Sequence, residues 1–591
     1  MAILGVDVGG TFTDAVLLAE GELRTAKVPT AARQEESVLA AASAVGASGV
    51  DRFTHGTTVA TNALLERKGA RTAFVATAGF EHLLHLRRQD RAHLYRLCAA
   101  HPEPLVPLER CFGVRERMGP EGVLEPLDLG SLPEVDAAVE AVAVCLLFSF
   151  RDPGHEQAVA AELRRRLPRA RVVASHEVSP ELREYERAST AAIDAYLGPV
   201  VSRYLEALGR AGAGAALPEP LVMRSSGGLA TLTEAAAHPA VAVMSGPAGG
   251  VVGAARAARA AGVEDAISFD MGGTSTDVCL IRGGEAGRSA EREVGGLPLR
   301  LPTVDLQTLG AGGGSIVWRD AGGAVRVGPE SAGADPGPAC YGRGGTRPTV
   351  TDANLLLGRL PPGLAGSLEL DHAAAEQAFE GLDPGEAVEA VNAEMLRALR
   401  LVSVERGHDP REVTLVAFGG AGPLHACALA EELGVATVLV PAAAGVLSAL
   451  GLAVADERRD AVRSYVCALE DAGELPVEGE AELRYRGQSF ELTVPLQPGL
   501  AEAFHRAHET RYGYADRGRE IELVAVRTAD VRPGPSLELP PAEPLEAPGP
   551  QVLALDGATC WIPPGWVGVR DGTSSTLRLT RLSRDRAETV K

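Results

Sequence analysis

Short apolar runs broken by Gly, Pro and charged residues make up most of the chain, and two of them share one design. Ile3-Leu4-Gly5-Val6 predicts a buried strand, followed by a polar Gly-Gly stretch and a second apolar run over 15–18. Ala266-Ile267-Ser268-Phe269 and the run 278–281 repeat this arrangement. Between each pair the same eight-residue pattern recurs. Asp7-Val8-Gly9-Gly10-Thr11-Phe12-Thr13-Asp14 and Asp270-Met271-Gly272-Gly273-Thr274-Ser275-Thr276-Asp277 both read D-x-G-G-T-x-T-D. Each copy predicts a β-hairpin with its polar residues at the tip.

Elsewhere the pattern predicts a buried strand over 141–150, a long helix over 187–208 and a surface connection through the Ala/Gly run 211–216. Thr414–Phe418 reads as a strand, Gly419-Gly420-Ala421-Gly422-Pro423 as a turn, and 424–433 as a helix ended by Gly434. The tail predicts strands at 481–485 and 489–494, a helix at Leu500–Tyr512 and an irregular Pro- and Glu-rich stretch over 533–550. Three divisions follow: 1–185 with the first hairpin, 186–465 with the second hairpin and the Gly-rich turn, and 466–591 as a small α+β unit.

Composition narrows the function. The 591 residues exceed one ordinary domain, and the 46% hydrophobic content suffices for a sizeable core. Aromatics are only 4%, which favours packed helices and parallel strands. A net charge of −21 argues against nucleic acid as partner. It leaves room for ATP, which needs only local backbone N–H groups and a metal ion. The eight cysteines form no C-x-x-C pair, so a zinc ribbon or disulfide framework is not indicated. No signal peptide precedes the strand at 2–8, and the run 139–150 is too short to cross a bilayer. These features predict a soluble cytoplasmic protein without a membrane partner.

The repeated tip suits phosphate binding. Its glycines permit positive φ and close approach of a ligand. Thr11, Thr13, Thr274, Ser275 and Thr276 offer hydroxyls and N–H groups to phosphate oxygens. Asp7 and Asp270, each ending a strand, can hold Mg²⁺ through water or lie near a catalytic base, with a structural cap as the other reading. Asp14 and Asp277 can instead orient the loops. The pair of tips, with Gly9, Gly10, Gly272 and Gly273, can clamp a triphosphate from both sides, and Gly419, Gly420 and Gly422 add an adenosine-side contact.

Other residues admit plainer readings. His55, Thr57 and Thr58 can bind a carbonyl substrate or make ordinary hydrogen bonds. Asp335 lies in a tightly turning Gly/Pro-rich stretch that can face substrate, and Cys340 has no nearby His to make it a nucleophile. His408-Asp409-Pro410 reads first as a turn. His82 with His85, and His505 with His508, share helix faces; solvated faces are favoured over metal pairs.

The order hairpin, hairpin, Gly-rich turn resembles the actin/Hsp70/hexokinase superfamily. That resemblance implies two ribonuclease-H-like α/β domains around an ATP cleft. Further strings are similar to the hydantoinase A and 5-oxoprolinase branch. They include His55-Gly56-Thr57-Thr58, Ser245-Gly246-Pro247-Ala248-Gly249-Gly250, Gly310-Ala311-Gly312-Gly313-Gly314-Ser315, the stretch 333–342, Thr351-Asp352-Ala353-Asn354, the stretch 405–410 and Arg484-Tyr485-Arg486-Gly487-Gln488. The resemblance covers essentially the whole chain. It implies an ATP- and Mg²⁺-dependent cyclic amidase subunit that phosphorylates a ring carbonyl oxygen, with Asp7, Asp270, Thr11 and Thr274 at the chemistry. It also implies a separate hydantoinase B-type partner and an oligomeric assembly. An acetone-carboxylase-like subunit and a non-enzymatic ATP-gated regulator are the alternatives. One departure is the short segment 470–474, where the family has a longer helix-rich stretch; it bears on the partner interface.

Overall fold

The computed structural model describes residues 1–364, 368–537, 539, 541–572 and 575–582. Both hairpins form as the pattern predicts. Ile3–Val8 runs antiparallel to Phe12–Ala19 with Asp7 opposite Asp14. Ala266–Met271 runs antiparallel to Thr276–Arg282 with Asp270 opposite Asp277. Each tip is closed by one backbone bond: Gly9 N–H to the Phe12 carbonyl at 2.9 Å, and Gly272 N–H to the Ser275 carbonyl at 3.0 Å.

The duplication extends beyond the hairpins. In the first sheet the order is Glu22–Pro29, Phe12–Ala19, Ile3–Val8, Arg52–Thr57, Leu221–Met223. The first three are antiparallel and the last two run parallel to Ile3–Val8. In the second the order is Glu285–Ala286, Thr276–Arg282, Ala266–Met271, Thr414–Phe418, Thr437–Val440, with the same senses. Two α/β halves of one topology therefore carry the two tips.

The tail divides between the halves. Glu457–Ala468, Ile521–Arg532, Glu480–Tyr485 and Leu492–Pro495 extend the first sheet. Leu577–Arg581, Trp566–Arg570 and Leu545–Pro548 extend the second. Within the stretch 533–550, Leu545–Pro548 is thus a strand, and residues 538 and 540 lie outside the described residues. The short segment at 470–474 begins with a single 3₁₀ turn, Leu469–Asp471.

A third, all-parallel sheet is inserted into the first half, in the order Arg171–Ala174, Ala141–Cys145, Thr72–Thr77, Cys111–Val114. The strand expected over 141–150 stops at Cys145, because the next amide, Leu146 N–H, turns to the buried Glu156 carboxylate at 2.8 Å. The long helix spans Glu184–Gly214, so it absorbs most of the Ala/Gly run expected as a connection. Alanine is the strongest helix former, and the Pro residues expected to bound the connection come only after the helix ends. Its Ala188, Ala191, Ala192 and Ala195 pack on the inserted sheet, while Ile193, Leu197, Val201 and Leu205 belong to a second cluster with Val222.

Two helices join the halves. Ser245–Ala260 and Leu447–Val454 cross so closely that a Cβ on Gly451 would run into the Gly249 carbonyl, and one on Gly253 into the Leu447 carbonyl. Leu447–Val454 also lies on the first sheet, where a Cβ on Gly5 would strike the Ala449 carbonyl. Bare backbone at these positions lets the two sheets approach.

Candidate functional site: two hairpin tips at one cleft

Helix Ser245–Ala260 passes both strand-end carboxylates. A Cβ on Gly246 would lie 3.3 Å from Asp7 Oδ1, and one on Gly250 would lie 3.3 Å from Asp270 Oδ2. Gly246 and Gly250 are one helical turn apart, about 6 Å along the axis. The two carboxylates thus face one cleft, and bare glycine leaves them room there. Ser245 anchors the helix start to the first sheet: its hydroxyl donates to the Thr57 carbonyl at 2.9 Å and accepts from Thr57 N–H at 3.2 Å.

The electrostatics agree with a shared cleft. Burial, then repulsion from Asp14, raises the Asp7 pKa to about 7, with Lys27 opposing. Burial, then repulsion from Asp277 and Asp7, raises the Asp270 pKa to about 8. Asp7 Oδ1 is buried without a hydrogen-bond partner. Two buried, mutually repelling carboxylates, one with an orphaned oxygen, fit a hydrated divalent cation. Among the described residues no group of three or more His, Cys, Asp or Glu side chains converges to hold a metal. Any ion here would therefore keep waters or phosphate oxygens in its shell, as magnesium does.

The tips present open backbone. Gly10 and Gly273 have nothing within 4 Å of an added Cβ, and neither hairpin's glycines adopt positive φ. Their role is bareness rather than an unusual turn, which corrects the expectation of left-handed backbone. Thr274 is exposed, and Thr11 and Ser275 are half-buried at the tips. Thr13 and Thr276 are fully buried and brace the loops instead. The Thr13 hydroxyl pairs with Thr30 Oγ1 at 3.1 Å, and Thr276 donates to the Ala311 carbonyl at 2.6 Å. Asp14 is paired with Lys27, and Asp277 accepts from Thr308 at 2.6 Å, so both orient their loops.

The Gly-rich segment 310–315 lies directly behind the second tip. Gly313 N–H bonds the Gly272 carbonyl at 3.0 Å and Gly314 N–H the Gly273 carbonyl at 2.7 Å. The Gly-rich turn at 419–423 adjoins the same hairpin: Ala421 N–H donates to the Met271 carbonyl at 3.0 Å. Gly419 has φ +78°, and a Cβ there would clash with Asp270, so this position does demand glycine. Gly422 opens the helix Gly422–Leu433, and the Gly420 carbonyl accepts from Thr559 N–H at 3.4 Å.

The expected substrate residues do not all meet. His55 lies on the other face of its strand from Gly56, which touches Asp7. Its Nε2 shares a 2.8 Å hydrogen bond with the Tyr204 hydroxyl, and burial lowers its pKa to about 4, so it is a neutral core histidine. Thr57 is buried against Ser245, while Thr58 precedes the next helix without capping it, its buried hydroxyl unpaired. Asp335 is exposed on the second half, in a loop tied to Gly314 through Ala332 N–H at 2.8 Å. Cys340 is buried and its thiol pKa is raised by burial and Asp352, which leaves it inert. His505 and His508 are buried rather than solvated: His505 pairs with the Tyr485 hydroxyl at 2.7 Å and His508 with the Tyr514 carbonyl at 2.8 Å. His85 bonds the Val106 carbonyl at 3.0 Å, and Asp409 caps the turn at Pro410–Glu412.

Sequence reasoning missed three contributors. Lys27, on the third strand, pairs with Asp14 and offsets the charge at both Asp7 and Asp270. Ser448, like Asp270, lies beside Gly250. The C-terminal hairpin Gln551–Leu555 and Ala558–Ile562 covers the Gly-rich turn at 419–423, with Gly557 against Gly445, and Asp556 accepts a hydrogen bond from Thr25 of the first half. A cross-strand Asp–Lys register was the one local signal; the others need the tertiary fold.

Comparison with known proteins agrees with this architecture. The hydantoinase/oxoprolinase family matches residues 187–461 and its N-terminal region matches residues 3–167. Caprolactamase subunit alpha of Pseudomonas jessenii is 34% identical over 92% of this chain and 88% of its own length. The crystal structure of that ATP-dependent caprolactamase superposes with a TM-score of 0.82, covering 98% of this chain and 99% of that one at 31% identity. 5-Oxoprolinase 1 of Arabidopsis thaliana is 37% identical over 69% of this chain, but the match spans only 36% of its length. A nucleotide-free acetone carboxylase structure shares the fold, with a TM-score of 0.77 at 22% identity, covering 98% of this chain and 100% of that one. The chain belongs to the hydantoinase/oxoprolinase family.

Proposed function

We propose that this chain is the ATP-handling subunit of a cyclic amide hydrolase, which phosphorylates a ring carbonyl oxygen before ring opening. The observation that carries the reading is the pair of tips of one shared pattern, whose Asp7 and Asp270 lie against Gly246 and Gly250, one turn apart on the same helix. The relatives named caprolactamase and 5-oxoprolinase supply the cyclic amide class.

Mg·ATP would supply the phosphoryl group and neutralise the charge that develops during its transfer. The chain's residues do the positioning. Backbone N–H groups and hydroxyls at Gly9, Gly10, Thr11 and at Gly272, Gly273, Thr274, Ser275 bind phosphate oxygens from the two sides. Asp7 and Asp270 would hold a magnesium ion, and Lys27 offsets their charge. Gly419, Gly420 and Gly422 admit the adenosine side. Approach of the halves excludes water and brings the amide oxygen to the γ-phosphorus; that oxygen forms the new P–O bond as the bond to ADP breaks. Hydrolysis then falls to a separate chain of B type, and the name of the caprolactamase relative as a subunit supports an assembly of this kind.

The test is ADP release by the purified chain, with and without a B-type partner, against 5-oxoproline, hydantoins, caprolactam and acetone with bicarbonate. The reading expects release that depends on a cyclic amide and falls about 100-fold or more in Asp270→Asn. Release driven only by acetone with bicarbonate would move the protein to the carboxylase branch, whose fold it shares. Release indifferent to every compound would leave a regulator.

A further inference from the structure

A second cavity, of about 480 Å³, opens beyond the carboxyl end of Leu221–Met223. That strand is two places from Ile3–Val8 in the first sheet, so the cavity lies about 10 Å along the sheet from the Asp7 strand. Its walls come from five stretches: the segment after the inserted sheet (His176, Glu177), the turn Arg224-Ser225-Ser226, the stretch 233–241, Leu301 with Pro302, and the strand Glu457–Ala468.

Arg224 is the unusual wall residue. Its side chain is only 13% exposed, its Nε–H has no partner, and its nearest carboxylate, Glu234, is 3.7 Å away. That is too long for a hydrogen bond. Glu234 is already engaged, accepting the Thr231 N–H at 3.1 Å and hydroxyl at 3.2 Å in a helix capping box. Beside Arg224, Ser226 is 2% exposed and its hydroxyl is also unpaired. The remaining acids of the cavity are spoken for. Glu181 is bound by Arg300 and Arg527, Asp460 by Arg458, and Glu177 by Arg164. A buried guanidinium Nε–H and a buried hydroxyl are left without hydrogen-bond partners, which is costly unless a ligand completes them.

We propose that this cavity is a binding site for a small organic monocarboxylate. The carboxylate takes the planar fork of Arg224 and the hydroxyl of Ser226, and the hydrocarbon body lies on Val241, Leu301 and Pro302. A phosphate dianion fits less well, because four carboxylates line the cavity and Arg224 offers only one unpartnered N–H beside its ion pair with Glu234. The acid has two possible sources: the carboxylate of a ring substrate such as 5-oxoproline, or a separate effector acid. The site stands on its own geometry and does not depend on the reaction proposed above.

Calorimetric titration of the full chain with L-5-oxoproline, hexanoate and neutral 2-pyrrolidinone tests it. At least one acid binds with a dissociation constant below about 10 mM, and the neutral ring does not. Arg224→Met weakens acid binding by about tenfold or more and Ser226→Ala by a smaller factor, with Mg·ATP binding unchanged. Arg224→Lys, which keeps the charge and loses the fork, shows the same weakening and serves as the test if Arg224→Met does not fold. Failure of both acids to bind, equal binding of the neutral ring, or acid binding indifferent to both Arg224 variants overturns the proposal. ADP release by 5-oxoproline alone identifies the acid as substrate; release by a neutral lactam that hexanoate enhances identifies an effector, and either upholds the site. Ring-dependent ADP release without acid binding overturns this inference and spares the proposed function, and acid binding without such release does the reverse.

Discussion

At the residue scale, alternation along a strand decides who reaches the cleft. Asp7 and His55 sit on neighbouring strands, yet Asp7 meets Gly56 and Gly246 while His55 turns to Tyr204 on the opposite face. The pKa of His55, lowered by burial to about 4 against 6.5, has a consequence for acid stability. Its folded pKa is depressed, so the unfolded chain takes up the proton first. Stability is therefore fully present above pH 6.5 and is lost as pH falls through 4. The loss attributable to this residue is about 3 kcal/mol. Urea unfolding at about pH 7.5 and about pH 4.5 should show that part of the decline missing in His55→Gln, and an unchanged decline would contradict the assignment. The aspartates were legible from the repeated motif, because they are set by eight local residues. Thr13 and Thr276 were not: the motif shows hydroxyls, but only the fold shows that Thr30 and Ala311 claim them.

At the element scale, the crossing of Ser245–Ala260 with Leu447–Val454 sets how the halves face each other. The strings around Gly249 and Gly250 were visible in the sequence, but their packing role was not, because the partner helix lies about 200 residues further along the chain. Gly451→Ala places a methyl against the Gly249 carbonyl. It should destabilise the protein by about 1–3 kcal/mol and weaken Mg·ATP binding together with it, since the tips separate as the helices part. Thermal unfolding and ATP titration on one preparation check this, and a fall in stability with full ATP affinity would show that the crossing does not position the tips. The hairpins, Thr414–Phe418 and Leu500–Tyr512 were readable because their signals are local. The strand ending at Cys145 was overextended because the buried acceptor that stops it, Glu156, belongs to the following helix.

At the scale of the whole molecule, one duplicated topology explains why a repeated motif yields a single site. Each half supplies a tip, a buried aspartate and a bracing loop, and the tail serves both. One part of the tail widens the first sheet, and the other covers the Gly-rich turn at 419–423 and touches Thr25 across the cleft. A tail read as one unit could not reveal this, since strand partners so distant in sequence leave no local trace. The central claim is that the two tips act as one clamp on a triphosphate, and Gly10 and Gly273 test it most directly. Nothing lies within 4 Å of an added Cβ at either, and neither has positive φ, so a side chain there should leave the fold intact and fill only the cleft. Mg·ATP titration into Gly10→Val and Gly273→Val, each alone, should show binding weakened by about 100-fold or more in both, with unfolding temperatures unchanged. Full ATP affinity in either single variant would contradict the clamp.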